Sequence, residues 1–369
     1  MRIGIDVRKL HDYGIGTYIN NLIIELAKLD NTNDYLLLCR QNDDQYINSL
    51  ANNFHSVPLR SANYSISEQI SIPYSLAFNS INLFHAPHYV LPALTPCRSI
   101  VTIHDCIHLK FPEYLPSKLA ALYAWSQLWI AVRRARAIIT VSEHSKDDIA
   151  ALFNVHPEKI TVIPNAVNNR YKAKLTSEHL AAIKQQCQLE RPFIMYSGNI
   201  KPHKNIAKLI EAFKQVRLAG HDDITLVIVG SHGAERDRLQ KLVQRLNLQE
   251  HVRFLGFQTE DLLAGLYQLA ELFVLPSLYE GFGLCPLEAM ASGTPVVASN
   301  VAALPEVLGE AALFVNPRDA GSIADGITTV LDNNSLRSDL IEKGRTRAEA
   351  FSWQRTARQI HRIYERIGV

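Results

Sequence analysis

The 369-residue chain carries no large excess of either charge. Lys and Arg number 38 against 36 Asp and Glu, a formal net charge of +2. Proteins whose main partner is nucleic acid usually carry a strong basic excess, so that class is disfavoured, although a local basic face is not. Cysteine is sparse and unpatterned. Cys39, Cys97, Cys106, Cys187 and Cys285 are odd in number and include no Cys-x-x-Cys pair. That argues against a disulfide framework or a cysteine zinc site and fits a reducing cytoplasm. No apolar run reaches the roughly 20 residues of a membrane helix. The longest, Leu119 to Val132, contains Ser126 and Gln127 and ends in Arg133-Arg134. Met1 to Val7 carries Asp6 and reads as a strand, not a signal peptide. Short-period repeats and low-complexity tracts are missing. So are the full G-x-G-x-x-G fingerprint and any H-x-x-x-H pair with a metalloprotease glutamate.

What is present is alternation. Short β-branched runs, separated by longer amphipathic stretches, are expected to be strands. In the first half they are Arg2–Val7, Tyr35–Cys39, Ser99–Ile103, Ala137–Val141 and Ile160–Ile163. In the second they are Phe193–Ser197, Ile224–Val229, Val252–Leu255, Glu271–Leu275, Pro295–Ala298 and Ala312–Val315. Near-continuous apolar strands suit a parallel sheet covered on both faces, the α/β doubly wound class. The pattern occurs twice, around a polar interval from about Pro164 to Pro192 that reads as hinge, linker and one helix, Ser177 to Gln188. Two domains follow, residues 1–165 and 170–350, with a basic terminal helix over 351–369. Ligands of such sheets bind beyond the carboxyl ends of the strands, so two such domains would face an interdomain cleft.

The most informative string is Glu280-Gly-Phe-Gly-Leu-Cys-Pro-Leu-Glu288. Gly281, Gly283 and Pro286 rule out one continuous helix through both glutamates. Glu280 is expected on an exposed loop, and Glu288 in the first turn of a helix that has Pro286 near its start. The amides of Phe282, Gly283 and Leu284 beside a helix N-terminus favour a phosphate or pyrophosphate. The two carboxylates then suit sugar and ribose hydroxyls. The plainer alternative is a helix-capping Glu288 and a solvated Glu280.

On these residues the chain resembles the retaining glycosyltransferases of family 4, which have the two-domain GT-B fold. Glu280 and Glu288 match that family's E-x7-E motif. Further matching segments are Gly14-Ile-Gly-Thr-Tyr18, Thr102-Ile-His-Asp105, Ile139-Thr-Val-Ser-Glu143, Ile163-Pro-Asn-Ala-Val167, Ser197-Gly-Asn-Ile-Lys-Pro-His-Lys-Asn205 and Phe351-Ser-Trp353. The resemblance implies a C-terminal domain that binds a nucleotide-sugar donor and an N-terminal domain that binds the acceptor. It also implies a last helix that crosses back to the first domain.

In the Ser197–Asn205 loop, Lys201, His203 and Lys204 can place positive charge over a leaving diphosphate. Lys204 matches the family's pyrophosphate lysine. The family's paired arginine is Asn199 here, which leaves Lys201 as an alternative cation. Gly14 and Gly16 follow the first strand and permit close backbone approach to a ligand. The resemblance places Gly16 at the donor phosphate or the acceptor. His104 follows Ser99–Ile103, can donate to a sugar hydroxyl and can be oriented by Asp105; the family's matching histidine contacts the donor sugar. His85 and His88 are weaker acceptor-side residues, as is Gly14. The catalytic set is therefore Glu280, His104 and Lys204, and the donor-binding set adds Gly16, Asn199, Phe282, Gly283, Leu284 and Glu288.

The stretch Leu119–Arg136, with Tyr123, Trp125 and Trp129 before Arg133, Arg134 and Arg136, reads more readily as a core-packed helix. It could also rest on an anionic membrane and meet a lipid-linked acceptor. No Asp-x-Asp occurs. Transferases of the other major fold hold a metal with that motif, and neither a metal nor a cofactor is expected here. The expected donor is GDP-mannose, with UDP-glucose or another UDP-sugar second. A UDP-sugar 2-epimerase-like isomerase and a non-catalytic sugar-nucleotide-binding subunit are the alternatives.

Overall fold

The computed structural model describes residues 1–115, 117–231 and 234–368. The chain forms two compact units, one of Met1–Asn165 with Ser352–Val369 and one of Ala166–Phe351.

The first unit holds a seven-stranded, wholly parallel sheet. Its strands are β1 (Arg2–Asp6), β2 (Asp34–Cys39), β3 (Phe54–Pro58), β4 (Leu83–Ala86), β5 (Arg98–Thr102), β6 (Ala137–Thr140) and β7 (Ile160–Val162), in the order β3-β2-β1-β4-β5-β6-β7. The second unit holds a six-stranded parallel sheet. Its strands are β8 (Phe193–Ser197), β9 (Thr225–Val229), β10 (Val252–Gly256), β11 (Leu272–Leu275), β12 (Val296–Ser299) and β13 (Leu313–Val315), in the order β10-β9-β8-β11-β12-β13. Both orders reverse direction once, between β1 and β4 and between β8 and β11. That reversal is the switch point where doubly wound sheets bind ligands.

The strands read as unbroken apolar runs because helices cover both faces. Every residue of β6, β8, β9, β11 and β12 is buried. Two strands escaped the pattern. β3 is half polar and lies at the sheet edge. β4 is only four residues long and contains His85. Short strands with a polar residue carry too little period-2 signal to separate from loop.

The C-terminal helix Trp353–Gly368 packs on the helix Tyr13–Leu29 of the first unit. It buries Trp353, Thr356, Ala357, Ile360, Ile363 and Tyr364, a stripe at helical spacing. The Thr356 hydroxyl donates to the Pro164 carbonyl (2.8 Å), and His361 lies 2.9 Å from the Asp30 carboxylate. No helix among the described residues is long and apolar enough to cross a membrane.

Candidate active site

In the second unit, two loops flank the β8/β11 switch point. The loop after β8 runs through Gly198 and a short 3-10 turn, Pro202–Lys204, into the helix Ile206–Leu218. The loop after β11 runs through Pro276–Gly283 into the helix Leu284–Ala291. Asn205, in the left-handed region (φ 58°), ties them together. Its amide donates to the carbonyls of Pro276 (3.0 Å) and Pro317 (2.7 Å). The Leu278 amide donates to the His203 carbonyl (2.8 Å).

This bracing sets one side-chain pair. Lys204 Nζ lies 2.7 Å from Glu280 Oε1, and the Ser277 hydroxyl donates to the same oxygen at 2.6 Å. Glu280 is on the loop, as expected, but it is not exposed. Its side chain keeps 11% of its free surface and that of Lys204 keeps 18%. The Ser277 and Lys204 contacts draw the carboxylate inward. Lys201 is exposed, and Asn199 uses its carbonyl to accept from Tyr196 Oη (2.9 Å) and from the Lys201 amide (3.2 Å).

Gly283 caps the helix Leu284–Ala291 with φ 97° and without a side-chain cap. A Cβ there would be 2.8 Å from Leu304 Cδ2, so both the backbone angle and the space call for glycine. First-turn amides of a helix have no intrahelical acceptor, so this end suits an anion. Glu288 is the fifth residue of the helix, just past the first turn in which the sequence placed it. It is buried, and the Tyr267 hydroxyl donates to its Oε2 (3.1 Å) while lying 2.5 Å from Ser197 Oγ. Burial pushes the Glu288 carboxyl up to about 7, against the Tyr267 hydrogen bond, which favours the charged form, and with a small contribution from Glu260. The two glutamates thus sit in opposite settings, one beside an ammonium and one beside a neutral phenol.

In the first unit, Gly14 and Gly16 lie in the first turn of the helix Tyr13–Leu29, and Gly14 is exposed. A Cβ on Gly16 would collide with the Leu10 carbonyl. The close approach expected for a ligand is therefore made at Gly16 by the chain itself. His104 follows β5, and its Nε2 donates to the Pro87 carbonyl at 3.0 Å. Burial, the main cause, holds its pKa below the usual range. The neutral ring with Nε2 spent leaves Nδ1 as an acceptor, whereas the sequence suggested a donor. Asp105 instead accepts from the Ile107 amide (3.0 Å).

His85 is not an acceptor-side residue. It lies inside β4, fully buried, with Nδ1 2.6 Å from Tyr364 Oη and Nε2 2.8 Å from Thr102 Oγ1. Burial pushes its pKa down to about 3, with His104 adding to the shift. His88 follows β4 and is buried beside Tyr64, and its Nδ1 has no hydrogen-bond partner among the described residues.

Residues 181–347 match the family described as Glycosyl transferases group 1, and residues 13–170 match Glycosyltransferase Family 4. The O-antigen chain mannosyltransferase B of Escherichia coli is 34% identical over 283 residues, covering 77% of this chain and 74% of that protein. The O-antigen chain mannosyltransferase RfbU of Salmonella typhimurium is 33% identical over 267 residues, covering 72% and 70%. The chain belongs to glycosyltransferase family 4. It is a retaining, metal-independent hexosyltransferase of GT-B fold. A sucrose-phosphate synthase of Thermosynechococcus elongatus superposes with TM-score 0.80 at 24% identity, over 99% of this chain and 98% of that one. HepE of Anabaena, solved with UDP-glucose, superposes with TM-score 0.80 at 18% identity, over 99% of each chain.

Sequence reasoning about this glycosyltransferase missed Tyr267, Ser277 and the bracing role of Asn205. Tyr267 sits in the preceding helix, Glu260–Leu269, and no local motif announces it. Asn205 did leave a signal, an Asn directly before a helix that follows a basic loop.

Proposed function

We propose that the enzyme transfers a mannosyl group from GDP-mannose to a saccharide or lipid-linked saccharide acceptor, as in assembly of a surface polysaccharide. The choice of mannose is supported by the two O-antigen chain mannosyltransferases at 33% and 34% identity. The observation that carries the assignment of the donor site is the Lys204–Glu280 pair at 2.7 Å, beside the helix end at Gly283.

In this reading the second unit binds the donor and the first binds the acceptor. Lys204 and the amides of Phe282, Gly283 and Leu284 stabilise the diphosphate as its bond to the anomeric carbon breaks. Glu280 fixes the Lys204 ammonium and meets the donor sugar. Glu288 receives the ribose hydroxyls. His104 Nδ1 accepts from a sugar hydroxyl. The acceptor oxygen bonds to the anomeric carbon on the face that the diphosphate leaves, and a phosphate oxygen takes its proton. No side chain is then needed as general base.

We place the enzyme at the cytoplasmic face of a membrane, held through the helix Lys118–Arg134. That helix was expected to pack in the core, yet Leu119, Leu122, Trp125 and Trp129 are exposed along it. Exposed aromatic and aliphatic side chains on an arginine-ended helix suit a lipid interface.

A panel of nucleotide sugars tests the donor assignment. Nucleotide release should be fastest with GDP-mannose and should rise with an acceptor extract. Turnover of UDP-sugars alone would overturn the mannosyl assignment. Acceptor-independent epimerisation of a UDP-sugar would overturn transfer itself.

A further inference from the structure

A small cavity sits in the first unit where its strand order reverses, at the β1/β4 switch point. Asp6 ends β1, Ala86 ends β4, and both line it. It therefore lies at the carboxyl edge of the sheet, where such folds take ligands. Pro87 lines it too, and the Pro87 carbonyl accepts from His104 Nε2 (3.0 Å). The cavity thus adjoins the histidine that the proposed function sets at a sugar.

Its charges are already matched. Arg8, 2% exposed, donates to both Asp6 oxygens (2.9 and 2.7 Å) and to Glu68 Oε2 (3.0 Å). Lys9 Nζ lies 3.1 Å from the Asp12 carboxylate. Each lining cation has its carboxylate, which favours an uncharged, hydroxyl-rich ligand over a phosphate.

Tyr64 fills the mouth. Its Oη accepts from Lys9 Nζ (2.8 Å) and lies 3.4 Å from His88 Nε2. Its backbone is left-handed, with φ 63°, a conformation that bulky residues adopt rarely and only when their surroundings hold them there. The space inside is about 10 Å³, room for one water and not for a sugar ring. Tyr64 keeps 43% of its surface exposed, so it can swing out toward solvent.

His88 gives an independent sign of a ligand. Burial, then Lys9, His104 and His108, hold its pKa well below the usual range, so the ring is neutral. Lys9 donates to Tyr64 Oη, which leaves the phenol proton for His88 Nε2. The ring's own proton then belongs on Nδ1, a buried donor with no partner among the described residues. A sugar hydroxyl carries the same donor and acceptor as the phenol and can replace it between Lys9 and His88.

We propose that this switch point is the acceptor subsite: the terminal pyranose of the acceptor displaces Tyr64, and its hydroxyls bind Lys9 and His88. The inference rests on the transfer reading above and adds to it the part of the acceptor that is recognised, an uncharged sugar ring.

Saturation-transfer NMR of the full chain with methyl α-mannopyranoside, methyl α-glucopyranoside and methyl α-galactopyranoside tests it. At least one of the three should bind. His88→Ala should weaken that binding by about tenfold or more. Tyr64→Phe loosens the latch and should tighten it by about threefold. GDP affinity, followed by calorimetry, should be unchanged in both, and thermal melts check that each is folded. Tyr64→Phe alters a half-exposed side chain, so it carries the test by itself if His88→Ala does not fold. Binding that neither substitution changes, or no binding of any of the three, overturns the subsite. Release of the bound pyranoside by millimolar inorganic phosphate overturns the choice of an uncharged ligand. The expected pyranoside binding in a protein that releases nucleotide from no nucleotide sugar overturns transfer and leaves the sugar site standing.

Discussion

Lys204 and Glu280 face each other at 2.7 Å from the two loops that bound the β8/β11 switch point. An ammonium paired with a carboxylate is held still and partly neutralised. Under the proposed function, a diphosphate would meet a cation that is already aimed, so little reorganisation would be needed as charge develops on the leaving group.

Glu280→Gln tests the anchor. The amide can still accept from Ser277, but it no longer fixes the ammonium by charge. Turnover should fall by about 100-fold. Because the pair is mostly buried, stability should also fall, by roughly 1 kcal/mol. Steady-state rates and thermal melts measure both. Unchanged turnover would remove Glu280 from the site.

Under the proposed function, Glu288 makes donor binding depend on pH. Its folded pKa is about 7 and its ordinary value 4.5. Between those values the folded state holds more protons than the unfolded one, so this group makes the fold less stable as pH rises, and constant above about 7. Glu288→Gln should therefore stabilise the protein at pH 8, by up to ~3 kcal/mol, while weakening nucleotide binding. In the wild type, nucleotide affinity should rise as pH passes through 7, when the carboxylate becomes a full acceptor for ribose. Tyr267→Phe removes a hydrogen bond that favours the charged form, so it should move that midpoint upward. Melts across pH and calorimetric titration with GDP check these directions.

His85 and His104 should separate cleanly. His85→Ala leaves the buried Thr102 and Tyr364 hydroxyls short of a partner, so stability should drop by about 2 kcal/mol or more. In the wild type, the buried neutral His85 makes the first unit lose stability as pH falls below its ordinary 6.5. His104→Ala should melt near the wild-type temperature but turn over at least ~30-fold more slowly. A slow, stable His85→Ala protein would reverse the assignment.

Gly16→Ala should destabilise the first unit by about 1–3 kcal/mol, because the new methyl group meets the Leu10 carbonyl. GDP affinity of the folded variant should be unchanged. A normal melting temperature with lost GDP binding would restore Gly16 to the donor site.

Much of the local structure of the second unit's candidate site was legible because its signals are local. Gly281, Gly283 and Pro286 separate the loop from the helix, and the basic run at Lys201–Lys204 follows a strand. What stayed hidden depends on pairs distant in the chain. Tyr267 reaches Glu288 from another helix, and Glu280 looked exposed until Lys204, 76 residues earlier, closed on it. His85 looked like a loop residue because β4 is too short to show a period. The Lys118–Arg134 helix looked like core because its composition is apolar, whereas composition does not tell which face meets a neighbour.

The most direct test of the account is calorimetric titration of GDP into the wild type, Lys204→Ala and Lys201→Ala. Lys204 is pinned toward Glu280 and Lys201 is exposed, so Lys204→Ala should weaken GDP by about 100-fold and Lys201→Ala by no more than about threefold. Wild-type affinity in Lys204→Ala, or a larger loss in Lys201→Ala, would contradict the assignment of the diphosphate site.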